Sequence, residues 1–103
     1  MALAYEGGAL DATIAAACGG DEALYRELRG AFLESAERQL DLLRRARCDG
    51  NWRLAAMRLK GLASSFHDES LLLLADEAND AAPGEPTVLR RIGAHLKILA
   101  LTL

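Results

Sequence analysis

Only two cysteines, Cys18 and Cys48, occur in the 103 residues. They are distant from one another and from any histidine, so they supply neither a disulfide framework nor a metal-ligand cluster. Each is expected to be a small, buried or half-buried apolar side chain in a reducing compartment. Aromatic residues are few (one Trp, two Tyr, two Phe), and β-branched residues are sparse. Sheet architectures draw on both kinds, so they are disfavoured from the start. No apolar run approaches the roughly 20 residues that a bilayer-spanning helix needs. No basic stretch followed by an apolar one opens the chain, so a cytoplasmic location without membrane association is expected. An excess of positive charge is also missing. Twelve Lys and Arg face fifteen Asp and Glu, for a net charge of −3, which is not the electrostatic footprint of a nucleic-acid binder.

Leucine and alanine are abundant. Half of the chain (51%) is hydrophobic, and these two strong helix formers dominate that half. The length suits one domain, residues 1–103, that buries a core without disulfides or metal. Gly and Pro punctuate it. Gly7-Gly8 precedes a short helical stretch over 9–17, and Gly19-Gly20 ends it. Asp21 is a good N-cap for a long helix over 22–47 whose apolar stripe is Leu24, Leu28, Phe32, Ala36, Leu40 and Leu43. Asp49-Gly50-Asn51 reads as a break, and a third helix is expected over 52–66. Asp68 is placed to cap a fourth over 69–81, with Leu71, Leu74, Ala75 and Ala78 inward and Glu69, Asp76, Glu77 and Asp80 as a solvated face. After the loop Ala82-Pro83-Gly84-Glu85-Pro86, a last helix carries Val88, Leu89, Ile92, Leu96 and Leu99 on one side. The spacing predicts an all-α domain: an antiparallel four-helix bundle, with the short first helix packed across one end.

The third of these helices has two distinct faces. At about 100° per residue, Trp52, Ala55, Ala56, Leu59, Leu62, Ala63 and Phe66 fall within roughly 60° of one direction. Met57 lies about 160° from the centre of that stripe and is expected in solvent. Leu54 and Gly61 share its outer face, with Arg53, Lys60 and Ser64 on one shoulder and Arg58 on the other. An apolar cluster ringed by positive charge, on a helix that already has a full inner stripe, suggests a surface for docking another protein.

The segment Met57-Arg58-Leu59-Lys60-Gly61-Leu62-Ala63 resembles the signature His-x-Leu-Lys-Gly-x-Ala of histidine-containing phosphotransfer domains, the relay modules of bacterial two-component signalling. Leu59, Lys60, Gly61 and Ala63 occupy the motif's positions, and the resemblance extends over roughly residues 15–81. Phe66, Leu71, Leu74 and Ala75 follow the family's apolar spacing. Two departures stand out. Met57 replaces the phosphorylatable histidine, and a thioether has no nucleophilic nitrogen with which to form a phosphoramidate. His67-Asp68 stands where the family has Gly-Ala. The resemblance implies a helical bundle that docks a response-regulator receiver domain or a histidine kinase, as a monomer. It also implies that Lys60 offers an ammonium beside the motif's acceptor position, and that Gly61 leaves room for a partner's close approach. Lost phosphate acceptance would make the chain a competitor, adaptor or buffer for that partner.

Two alternatives remain open at this level: a phosphocarrier that uses His67, and a purely structural helical module. His67 lies toward the end of the third helix, beside Asp68. His95, in Ala94-His95-Leu96-Lys97, resembles a fragment of the motif but falls at the edge of the last helix's buried stripe. There is no Gly-rich phosphate loop, no HExxH and no nucleophile–base pair. No enzymatic activity, cofactor or metal is therefore expected.

Overall fold

The computed structural model describes residues 8–102, and all of its regular structure is helical. Gly7, expected ahead of the first helix, lies outside that range. Five helices follow in order: α1 (Gly8–Cys18), α2 (Glu22–Arg45), α3 (Asp49–Phe66), α4 (Glu69–Asp80) and α5 (Pro86–Leu101).

Helices α2 to α5 form a closed ring in which each packs on the next and α5 returns to α2. The cross-helix contacts set the directions. Phe32 of α2 meets Phe66 of α3 with ring centroids 5.1 Å apart, while the far end of α2, at Leu42 and Arg45, faces Leu54 and Arg58. Trp52, at the start of α3, donates its indole N–H to the Ala78 carbonyl, near the end of α4, at 2.7 Å. Along α4 and α5, Asp68 faces His95 and Glu77 faces Arg91. Every neighbouring pair is thus antiparallel, as short connections require. The shared core includes Phe32, Leu43, Trp52, Leu59, Leu71 and Ile92, each at 0–1% exposure.

Helix α1 turns Leu10, Ile14 and Cys18 inward at a spacing of four and lies on α2 and α3. It is tied down by Arg29 of α2, which is buried. The Arg29 Nε donates to Asp11 Oδ1 of α1 at 2.9 Å, and Nη1 donates to the Leu99 carbonyl at 2.8 Å. Nη2 reaches Thr102 Oγ1 at 2.7 Å. A buried guanidinium with one carboxylate and two further acceptors has its fork of donors engaged, which is what tolerates the charge there.

Several local expectations are corrected. Helix α3 begins at Asp49, not Trp52, so Asp49-Gly50-Asn51 is its first turn and the break falls at 46–48. A carboxylate in the first turn complements the helix dipole, and the burial of Trp52 holds that turn in place. Helix α2 ends at Arg45 rather than Arg47, with Ala46 buried in the connection. Leu24, expected in the inner stripe, is exposed. It sits in the first turn of α2, about 80° around from Phe32, while Arg29 and Leu33 take buried places that the stripe did not include. Cys18 is buried as expected, but Cys48 is exposed. Cys48 is the N-cap residue of α3, outside any helical apolar pattern. Asp76 and Glu77 are not simply solvated, since both make ion pairs across helices.

The corner between α3 and α4 has a specific construction. His67 adopts left-handed geometry (φ 60°, ψ 39°) as the C-cap of α3. Its amide bonds the Ser64 carbonyl, and the Asp68 amide bonds the Ala63 carbonyl at 2.9 Å. This is the Schellman arrangement, in which glycine is the usual occupant. The side chain of His67 is anchored instead, with Nδ1 2.9 Å from Thr13 Oγ1 of α1. Asp68 then caps α4, with Oδ1 accepting from the Leu71 amide at 3.1 Å. Its carboxylate is buried against His95 Nε2 at 2.8 Å. His95 is therefore a buried residue with an acidic partner rather than an edge residue.

Candidate functional site

The inner stripe of α3 is filled as the phase argument requires. Trp52, Ala55, Ala56, Leu59 and Ala63 are buried, with Leu62 and Phe66 half-buried beside them. The opposite face is therefore fixed in solvent. Met57 is 63% exposed and Leu54 48% exposed, while Gly61, Arg53, Arg58, Lys60 and Ser64 are all exposed as well. Met57 stands near the middle of this face, two turns from either end of a helix whose other side is locked into the bundle.

The two shoulders face different neighbours. On one side Lys60 reaches across to α4, and its Nζ lies 2.8 Å from Asp76 Oδ1. That bond, with the negative charge of Asp76 behind it, pushes the Lys60 ammonium above its ordinary value. Lys60 is thus engaged by α4 instead of standing free beside Met57. The other shoulder borders α2. Leu42, Arg45 and Ala46 of that side meet Leu54, Ala55 and Arg58 of α3 around an open groove of about 220 Å³. Leu42 is 39% exposed, so the apolar surface of Leu54 and Met57 continues onto α2. Sequence reasoning missed Leu42. It lies outside the core stripe of its own helix, and only the pairing of α2 with α3 brings it beside Leu54.

Gly61 has nothing within 4 Å of where a Cβ would stand. Packing inside the domain therefore gives no reason for glycine at this position. Its cost relative to alanine inside a helix, about 0.5–1 kcal/mol, is uncompensated within the fold. Its φ is an ordinary helical one, in contrast to Gly19, Gly20 and Gly84.

His67 is exposed, at the far end of α3 from Leu54, with its Nδ1 on Thr13. His95 is buried, at 5% exposure. The described residues contain no group of three or more His, Cys, Asp or Glu able to hold a metal ion. No helix of the described residues is long and apolar enough to cross a membrane. What the outer face of α3 offers is an apolar contact surface edged by guanidinium groups. Compared with known proteins, the chain matches no family model, no curated protein and no solved structure.

Proposed function

We propose that this domain is a phosphotransfer-like signalling module that binds a receiver domain or a histidine kinase through the outer face of α3 without accepting phosphate at position 57. The observation that carries the reading is that face itself. Met57 projects into solvent where the resembled motif places its histidine, and one turn further on the glycine of the motif stands in open space. A helical glycine with no internal use is accounted for by an external one, the close approach of a partner's backbone. The α3–α4 corner adds support. The position where the resembled family carries glycine has left-handed backbone here, the conformation that glycine adopts most readily.

Such a module competes with a phosphate-accepting domain for the same partner. It occupies the docking surface and returns nothing, because sulfur in a thioether cannot hold a phosphoryl group. The test is a titration of the domain with purified receiver domains and kinases of its source organism. Gly61→Glu should weaken binding more than tenfold, because a long acidic side chain stands where the partner comes closest. Helix stability should not fall, since glycine is the poorer helix former. Gly30→Ala, also an open helical position but on α2 and away from Met57, should gain stability and leave affinity unchanged. No binding to any such partner, or binding indifferent to Gly61→Glu, would remove the reading.

A further inference from the structure

The chain is acidic overall, yet the stretch from the end of α2 to the middle of α3 is not. From Arg44 to Arg58 the sequence holds five arginines and a single carboxylate, Asp49. All five arginines are exposed. Arg45 is paired with Asp41 at 2.9 Å, and Arg44 lies over Gly93 of α5, 3.0 Å from where a Cβ would be. Arg47, Arg53 and Arg58 have no carboxylate within ion-pair distance among the described residues. No carboxylate lines the groove between α2 and α3. Leu42, Leu54 and their neighbouring alanines form its apolar part, with Arg45 and Arg58 at its edges. Arg53 stands on the far side of Met57.

We propose that this groove receives an amphipathic helix of the partner protein, with its apolar stripe seated on Leu42 and Leu54 and carboxylates along its borders. The inference rests on the docking reading above and specifies the chemistry of the partner. Two parallel walls of helix with an apolar centre suit a third helix, whose anchors recur at i, i+3, i+4 and i+7. Exposed guanidinium groups favour carboxylates because the planar fork matches two oxygens at once. A polyphosphate backbone would use the arginines but leave the exposed leucines uncovered. A carboxylate-bordered helix uses both.

The probe is a helical peptide of about 18 residues with leucine at the anchor spacing and glutamate beside it, compared with a twin carrying lysine in place of glutamate. Backbone amide shifts in the labelled domain report the site. The glutamate peptide should move the signals of Leu42, Leu54, Met57 and Arg58. Its affinity should fall about tenfold between roughly 0.05 and 0.5 M salt, because exposed charge pairs are screened over that range. Arg58→Glu should remove binding, and Arg90→Glu on α5 should leave it. Equal binding of the two peptides, binding of neither, indifference to Arg58→Glu, or binding of duplex DNA in preference to the glutamate peptide each overturns the inference. A domain that binds a receiver through Gly61 yet treats both peptides alike overturns this inference and leaves the docking reading in place. Glutamate-peptide binding in a domain that ignores every receiver and kinase does the reverse.

Discussion

Replacing Asp68 by alanine is expected to destabilise the domain by about 2–4 kcal/mol, and the size follows from two separate jobs of one carboxylate. The first is the N-cap of α4, a bond from the Leu71 amide to Oδ1 at 3.1 Å. Caps of this kind are worth about 1 kcal/mol. The second is the contact with His95 Nε2 at 2.8 Å, between side chains that are 4% and 0% exposed. Taking the partner from a buried polar group costs about 1–3 kcal/mol, since water does not replace it. In a domain of this size the sum lowers the melting midpoint by roughly 10–20 °C. Asp68→Asn keeps an oxygen for the Leu71 amide and should lose less. Equilibrium unfolding in urea of Asp68→Ala, His95→Phe and the double variant closes a thermodynamic cycle. The two changes should be strongly non-additive, by at least about 1 kcal/mol, because they share one contact. Additivity within about 0.5 kcal/mol would show that the pair does not couple and that the reasoning is wrong.

Two further predictions are simpler. Met57→His should fold with little change in stability, since the position is largely exposed, and should gain an acid-labile phosphoryl group from a phosphorylated partner. Adding Asp76→Asn should raise the rate of that gain by freeing Lys60, and a folded, partner-binding variant that takes up no phosphate in either background would show that the site has lost its geometry. Glu85 caps α5 by accepting from the Thr87 and Val88 amides, each at 3.0 Å, and those bonds hold its carboxyl below the usual range. Its folded value lies below its unfolded one, so its contribution is complete above the ordinary glutamate range and fades as pH falls through the folded value. Glu85→Gln should be less stable than the parent at neutral pH and converge with it in acid, and a gap unchanged by pH would rule the charge out as the cause.

The outward direction of Met57 was legible in the sequence because seven core positions of α3 share one phase at 100° per residue, which leaves the opposite side no alternative. The start of that helix was not. Asp49-Gly50-Asn51 has turn composition, and what overrides it is the burial of Trp52, a tertiary effect. Lys60 illustrates a second limit. Its spacing from Met57 is a local fact, but its pairing with Asp76 depends on how α3 and α4 slide against each other, which no pattern within either helix records. The same holds for Leu42 beside Leu54, and for Asp68 beside His95. Cross-helix register, not helix phase, is the part of the site that needed coordinates.

The guanidinium of Arg29 bears on the order of events during synthesis. Asp11 is made before it, but the Leu99 carbonyl and the Thr102 hydroxyl are made some seventy residues later. A nascent chain that already contains α1 to α4 therefore holds a cation whose native burial lacks two of its three acceptors, and the ring of helices still lacks α5. Closure of the bundle is deferred until the last turn of α5 has left the ribosome. Until then α2 and α4 leave uncovered the apolar surface on which α5 packs, so the last helix made is the one that completes the core.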